Sequence, residues 1–144
     1  MPEETVALAA DHAGWQLKNE LKSLLEGRGC EVVDLGAHSA ESVDYPDMAA
    51  ALAEILATGR ATRGVLVCGT GIGISIAANR HRHVRAALCH DVTTARMARR
   101  HNDANVLALG ARVLGSQAAL DCLEAFLDTP FEGGRHQRRV DKLG

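Results

Sequence analysis

The sequence predicts a single doubly wound, Rossmann-like α/β domain, with a five-stranded parallel sheet carrying helices on both faces. Three observations predict it. Short aliphatic runs alternate five times with stretches of helical periodicity. The connections between them are short, as in the strand–helix–strand units of a parallel sheet covered on both sides. The 144 residues are 47 % hydrophobic but only 3 % aromatic, enough for one domain with an aliphatic core.

Thr5–Ala10 is the first apolar run and ends in Asp11-His12. From Trp15 to Glu26 the apolar residues Trp15, Leu17, Leu21, Leu24 and Leu25 recur at helical spacing, and Gly27 and Gly29 close the helix. Glu31–Leu35 is the second strand and leads into a polar loop over residues 36–44. The next helix starts at Asp44-Tyr45-Pro46-Asp47, where proline suits a first turn, and runs through Leu52 and Leu56 to Gly59. Val65–Cys68 is the third strand, followed by a glycine-rich turn and an alanine-rich helix. Val84–Cys89 is the fourth, ending in His90-Asp91 and followed by a helix from about Thr93 to Arg100. Asn105–Leu109 is the fifth, ending at Gly110-Ala-Arg112, and Ser116–Asp128 is an amphipathic helix with Leu120, Leu123 and Leu127 on one face. Residues 1–130 thus form the predicted domain. Gly133-Gly134 then breaks the alternation, and residues 131–144 are a basic C-terminal tail poor in apolar residues, the composition of a solvated tail.

Sixteen basic against eighteen acidic residues leave a net charge of −2, which argues against a general nucleic-acid or membrane-surface binder. Met1-Pro-Glu-Glu-Thr5 lacks a basic, apolar leader, and no run approaches the ~20 apolar residues of a membrane span, so a cytoplasmic protein is expected. Cys30, Cys68, Cys89 and Cys122 are dispersed, without the C-x-x-C pairs of zinc or redox sites, and are expected to be reduced thiols.

The chemistry is concentrated in Cys68-Gly-Thr-Gly-Ile-Gly-Ile-Ser75. Glycines at 69, 71 and 73 permit positive φ and close approach of a ligand to the backbone. Converging N–H groups at a helix start form an anion cradle, here with a thiol at its lip. The loop is not a nucleotide P-loop, since no lysine follows the last glycine, and it is not G-x-G-x-x-G, since Ile74 takes the place of the third glycine. A tight turn around a structural cysteine accounts for the glycines equally well. Ligands of open parallel sheets bind beyond the carboxyl ends of the strands, where this chain also places Asp11-His12, His90-Asp91 and Arg112, with Tyr45 in the second loop region.

Six ordered motifs resemble those of the type B ribose-5-phosphate isomerases, within the family that includes the galactose-6-phosphate isomerase subunits. They are Asp11-His12-Ala-Gly14, Asp44-Tyr45-Pro46, Cys68 through Asn79, Arg100-His101-Asn102-Asp103-Ala-Asn105, Gly110-Ala-Arg112-Val, and Glu132-Gly-Gly-Arg135-His136-Gln-x-Arg139. The resemblance implies aldose–ketose interconversion through a cis-enediolate with no metal or organic cofactor. It implies Cys68 as the base between C2 and C1, which requires loop N–H groups to favour a thiolate, because a thiol ordinarily titrates near ~8.5. It implies His101 as the group that opens the furanose ring, assisted by Thr70. Gly69, Gly71, Ile72, Gly73, Ile74 and Ser75 would bind the enediolate oxygen through their backbone. Asp11, Tyr45 and Asn102 would contact hydroxyls, and His12, Arg112, Arg135 and Arg139 the phosphate. The tail then contributes to the phosphate site.

Some members of the family use a glutamate in the glycine loop as base; here that loop reads Gly73-Ile74-Ser75 and the thiol is present. The resemblance also implies a homodimer or tetramer with the active site at a subunit interface. Hexose phosphates (galactose or allose 6-phosphate) are alternative substrates. A nucleotide-binding α/β module without chemistry is the alternative from another class, but it leaves Cys68, His101 and the tail arginines without a role.

Overall fold

The computed structural model describes residues 4–144. Residues 1–3, the first part of the stretch read above as lacking a leader, lie outside the described residues. The elements follow the predicted alternation: β1 (Thr5–Ala10), α1 (Trp15–Gly27), β2 (Glu31–Asp34), α2 (Tyr45–Ala57), β3 (Arg63–Cys68), α3 (Ile72–Ala78), β4 (Ala86–Leu88), α4 (Val92–Asn102), β5 (Val106–Gly110), α5 (Ser116–Asp128) and a further helix, α6 (Arg135–Asp141). All pairings are parallel, in the order β2-β1-β3-β5-β4.

The alternation of side chains along each strand divides the core into two layers. Val6, Leu8, Val65, Val67, Leu107 and Leu109 pack with α1, α4 and α5 through Leu21, Leu25, Ala95, Leu123 and Phe126. Ala7, Ala9, Leu66, Cys68, Val106 and Ala108 pack on the other face with α2 and α3 through Leu52, Ala53, Ile74 and Ala78. The chain therefore leaves β1 for one face and its neighbour β3 for the other, and the sheet has its topological switch point between them. The carboxyl ends of these two strands carry Asp11-His12 and Cys68.

Two departures from the sequence reading have physical causes. β4 is three residues long, not six, because Arg85 N–H binds the Asn105 side chain at 2.7 Å instead of extending the ladder. Residues 135–141 are helical although the tail reads as polar. His136 and Val140, one turn apart, are its buried residues, and the helix packs on α4, so tertiary contact supplies what composition lacks. Among the described residues no helix is long and apolar enough to cross a membrane.

A charge pair with a buried lysine anchors the loop that leads toward the switch point. Lys18 Nζ lies 2.7 and 2.8 Å from the two Asp34 oxygens, Lys22 adds a third contact at 3.3 Å, and Asp34 Oδ1 also accepts from Gly36 N–H. Burial alone would raise the Asp34 carboxyl, but the Lys18 and Gly36 donors and the second lysine outweigh it and hold it below the usual carboxylate range. A carboxyl depressed on folding stabilises the protein above its unfolded pKa, and that contribution disappears as pH falls through the folded value. Asp34→Asn, which strands the fully buried Lys18, is therefore expected to cost about 3–5 kcal/mol at pH 7 in urea unfolding. The deficit should shrink as the wild-type carboxyl is protonated in acid; an equal deficit at every pH would assign the loss to packing.

Candidate active site

Cys68 is the last residue of β3 and is buried on the α2/α3 side of the sheet. Gly71, at φ 79°, turns the chain back so that its N–H donates to Cys68 Sγ at 3.1 Å. A side chain at 71 would collide with Leu88 and with the backbone of Leu109 and Gly110, so glycine is required there both for conformation and for space. The expected cradle is narrower than the run 69–75. Ile72 N–H is taken by Thr70 Oγ1 at 3.2 Å and Ser75 N–H by the Gly71 carbonyl at 3.1 Å, while Ile74 is wholly buried. Gly69 and Gly73 are partly exposed and Thr70 is exposed, so these are the loop residues open to a ligand beside Cys68.

Other predicted residues gather around this loop. Tyr45 opens α2, and its ring lies against Gly73: a Cβ there would be 2.8 Å from ring carbons. Arg112 runs beside Gly69, its Nη1 3.4 Å from where a Gly69 Cβ would stand, and its own N–H donates to the Gly69 carbonyl at 2.9 Å. Asp11 is buried, with Oδ1 accepting from Ala13 and Gly14 N–H at 2.9 and 3.2 Å, which braces the turn into α1. His12 Nδ1 lies 3.3 Å from both the N–H and the carbonyl oxygen of Val43, so the 36–44 loop holds the imidazole and leaves Nε2 outside that contact. His90-Asp91, also on this edge, is explained by capping: Asp91 and Thr94 form a reciprocal box at the start of α4.

His101, Asn102, Arg135 and Arg139 are not brought to Cys68. α4 starts just past the carboxyl end of β4 and its eleven residues run back across the sheet, about 16 Å at the α-helical rise. It ends at Asp103, in the left-handed conformation, just before the amino end of β5. His101 and Asn102 therefore stand at the amino edge of the sheet and Cys68 at the carboxyl edge. α6 packs against α4 there, with Arg135 and Arg139 exposed. The His101 and His136 rings are stacked, centroids 4.4 Å apart and planes 11° apart, and His136 Nε2 faces Glu132 Oε1 at 3.5 Å. The sequence motifs contain Glu132 and His136 but point to no role for either. The usable signal was the spacing of His136 and Val140, which puts both on one helix face.

His101, Glu132 and His136 bring ligating atoms within 4.8 Å of one another, but near-parallel stacked imidazoles do not aim their in-plane lone pairs at one point, as a shared ion requires. Burial lowers the His136 imidazole below its usual range, and the charges of His101, Arg135 and Arg139 add to that against the opposing Glu132. Burial likewise raises the Cys89 and Cys122 thiols to about 11, which fits them as inert packing residues. The cleft of about 650 Å³ at the amino edge, lined by Glu4, Arg28 and Arg63 among others, is remote from Cys68, and those charges are already paired as Arg63–Glu4 and Arg28–Asp128.

Residues 6–143 match the ribose/galactose isomerase family. Ribose-5-phosphate isomerase B of Escherichia coli is 46 % identical over 138 residues, covering 96 % of this chain and 93 % of that protein. D-erythrulose-4-phosphate isomerase of Pectobacterium atrosepticum is 43 % identical, covering 97 % and 93 %. The structure of ribose-5-phosphate isomerase B from Clostridium thermocellum superposes with a TM-score of 0.96 at 50 % identity, covering 97 % of this chain and 95 % of that one. Fold and relatives together define an isomerase built on a doubly wound parallel sheet. The chain belongs to the ribose/galactose isomerase family.

Proposed function

We propose that this enzyme interconverts ribose 5-phosphate and ribulose 5-phosphate through a cis-enediolate, with Cys68 as the base and His101 of a second copy opening the ring. The observation that carries the reading is the Gly71 N–H bond to Cys68 Sγ, which holds the sulfur at the switch point beside the partly exposed glycine loop. In this reading the thiolate takes the proton from C2 and returns it to C1. The N–H groups at Gly69, Thr70 and Gly73 bind the oxygen that becomes negative, a contribution of about 3–4 kcal/mol per donor in comparable sites. Tyr45 and Asp11 meet hydroxyls, and His12 and Arg112 meet the phosphate together with Arg135 and Arg139 of the partner. No metal or organic cofactor enters the steps assigned to these residues.

Two observations support completion by a second copy. One chain holds the two groups of residues on opposite edges of its sheet. Beside the Cys68 loop, Ile72 and Ile76 are 51 % and 53 % exposed one turn apart on α3, an apolar stripe suited to burial in a dimer.

Proton NMR of the protein with ribose 5-phosphate in D₂O tests the reading: ribulose 5-phosphate carrying deuterium at the exchanging carbon is expected. Neither product nor exchange, with turnover of a six-carbon phosphate instead, would move the assignment to that sugar. Arg135→Ala is expected to raise KM by about 10- to 100-fold through loss of a charge-assisted contact while kcat changes little. An unchanged KM would remove Arg135 from the phosphate site.

A further inference from the structure

We infer that His136 is a positioning residue for ring opening: its stacked imidazole sets the orientation of the His101 ring. The inference rests on the proposed role of His101. It comes from three features that the reaction described above does not use. The two rings lie 11° from parallel with centroids 4.4 Å apart, so His136 covers one face of His101. His136 is 7 % exposed in a basic helix of seven residues whose other buried residue is Val140, so the fold buries an imidazole where an aliphatic residue would pack without cost in desolvation. Its Nε2 is the buried side-chain polar atom that lacks a hydrogen bond among the described residues, with Glu132 Oε1 the nearest acceptor at 3.5 Å.

The surroundings explain what a ring does here that a leucine would not. His101 ends α4, on its last turn, where side-chain freedom is greatest and the helix dipole favours a cation. Arg135 and Arg139 of α6 oppose a second cation at position 136, and Glu132 of the preceding loop favours one. A neutral aromatic ring against His101 restricts χ1 and χ2 of His101 without competing for the proton it must exchange with the sugar ring oxygen. General acid–base transfer depends on that aim, and a displacement of about 1 Å can cost on the order of 100-fold.

Three rates separate this role from a structural one. Ring opening is read as enzyme-catalysed exchange between the furanose anomers of ribose 5-phosphate by saturation-transfer NMR. Overall turnover is read with the same substrate. Proton transfer alone is read as deuterium entry at C1 of ribulose 5-phosphate in D₂O, because that ketose has its O5 esterified and is already acyclic. His136→Gln is expected to slow anomer exchange and turnover about 10- to 100-fold, with deuterium entry and KM within about 2-fold of wild type. His136→Phe, which keeps a stackable ring, is expected to recover most of the loss. Equal losses in all three rates, a raised KM, or no rescue by phenylalanine would make His136 a packing residue of α6 and overturn the inference; so would unchanged ring opening in His136→Gln. His101→Asn distinguishes the underlying reading. If that variant also keeps anomer exchange, His101 does not open the ring, whatever His136 does.

Discussion

Cys68→Ala is expected to reduce isomerisation of ribose 5-phosphate by at least about 1,000-fold while ring opening and phosphate binding persist. The separation follows from where the thiol sits. Sγ is buried at the end of β3, bonded to the Gly71 N–H, and is the group at the switch point without a structural commitment that precludes proton transfer. Asp11, the buried carboxylate just past the end of the neighbouring strand β1, uses Oδ1 to hold the turn at Ala13 and Gly14. Removing Sγ therefore removes the proposed base without disturbing His12, Arg112 or the amino-edge group around His101. The expected signature is loss of both turnover and deuterium entry into ribulose 5-phosphate, with anomer exchange of ribose 5-phosphate and calorimetric binding retained. Cys68→Ser, which keeps a hydrogen-bonding atom in place of sulfur but a far weaker acid, should lose nearly as much. Near-normal turnover in either variant would show that another group moves the proton.

The strand–helix alternation made most of the fold legible, because each strand is an aliphatic run and each helix carries its own apolar stripe. β1 and α5 begin and end where the spacing puts them. What periodicity leaves open is strand order. The sequence has β4 before β5, yet β5 is inserted between β3 and β4, which brings Gly110 beside Cys68 and puts Arg112 against Gly69. α6 was illegible for a different reason: its burial rests on His136 and Val140 alone, and a helix so short forms only against its neighbour α4. At the site, Gly71 could be read as a tight turn, and the structure adds which N–H groups the turn consumes internally. The motif order gave no sign that His101 and Cys68 belong to opposite edges, since that follows from the direction of α4 rather than from any residue in it.

That separation leads to a result that neither inactive variant shows by itself. Cys68→Ala and His101→Asn are each expected to be nearly inactive, yet their mixture, after dissociation and reassociation, is expected to recover about a quarter of wild-type turnover per chain. In the proposed two-fold dimer each site would take the Cys68 group from one copy and the His101 group from the other. A mixed dimer of the two variants then has one site carrying both substitutions and one carrying neither. Random reassortment makes half of the dimers mixed, and each mixed dimer has one intact site of two. If Cys68 and His101 worked within one chain, every site in the mixture would carry one substitution and no activity would return. The exposed Ile72 and Ile76 supply the control: a charge at Ile76 should weaken association, and turnover should then fall with dilution in step with the dimer measured by sedimentation. Recovery without such concentration dependence would indicate a different interface, whereas no recovery from a mixture shown to contain mixed dimers would require His101 to reach Cys68 inside its own chain, against the direction in which α4 runs.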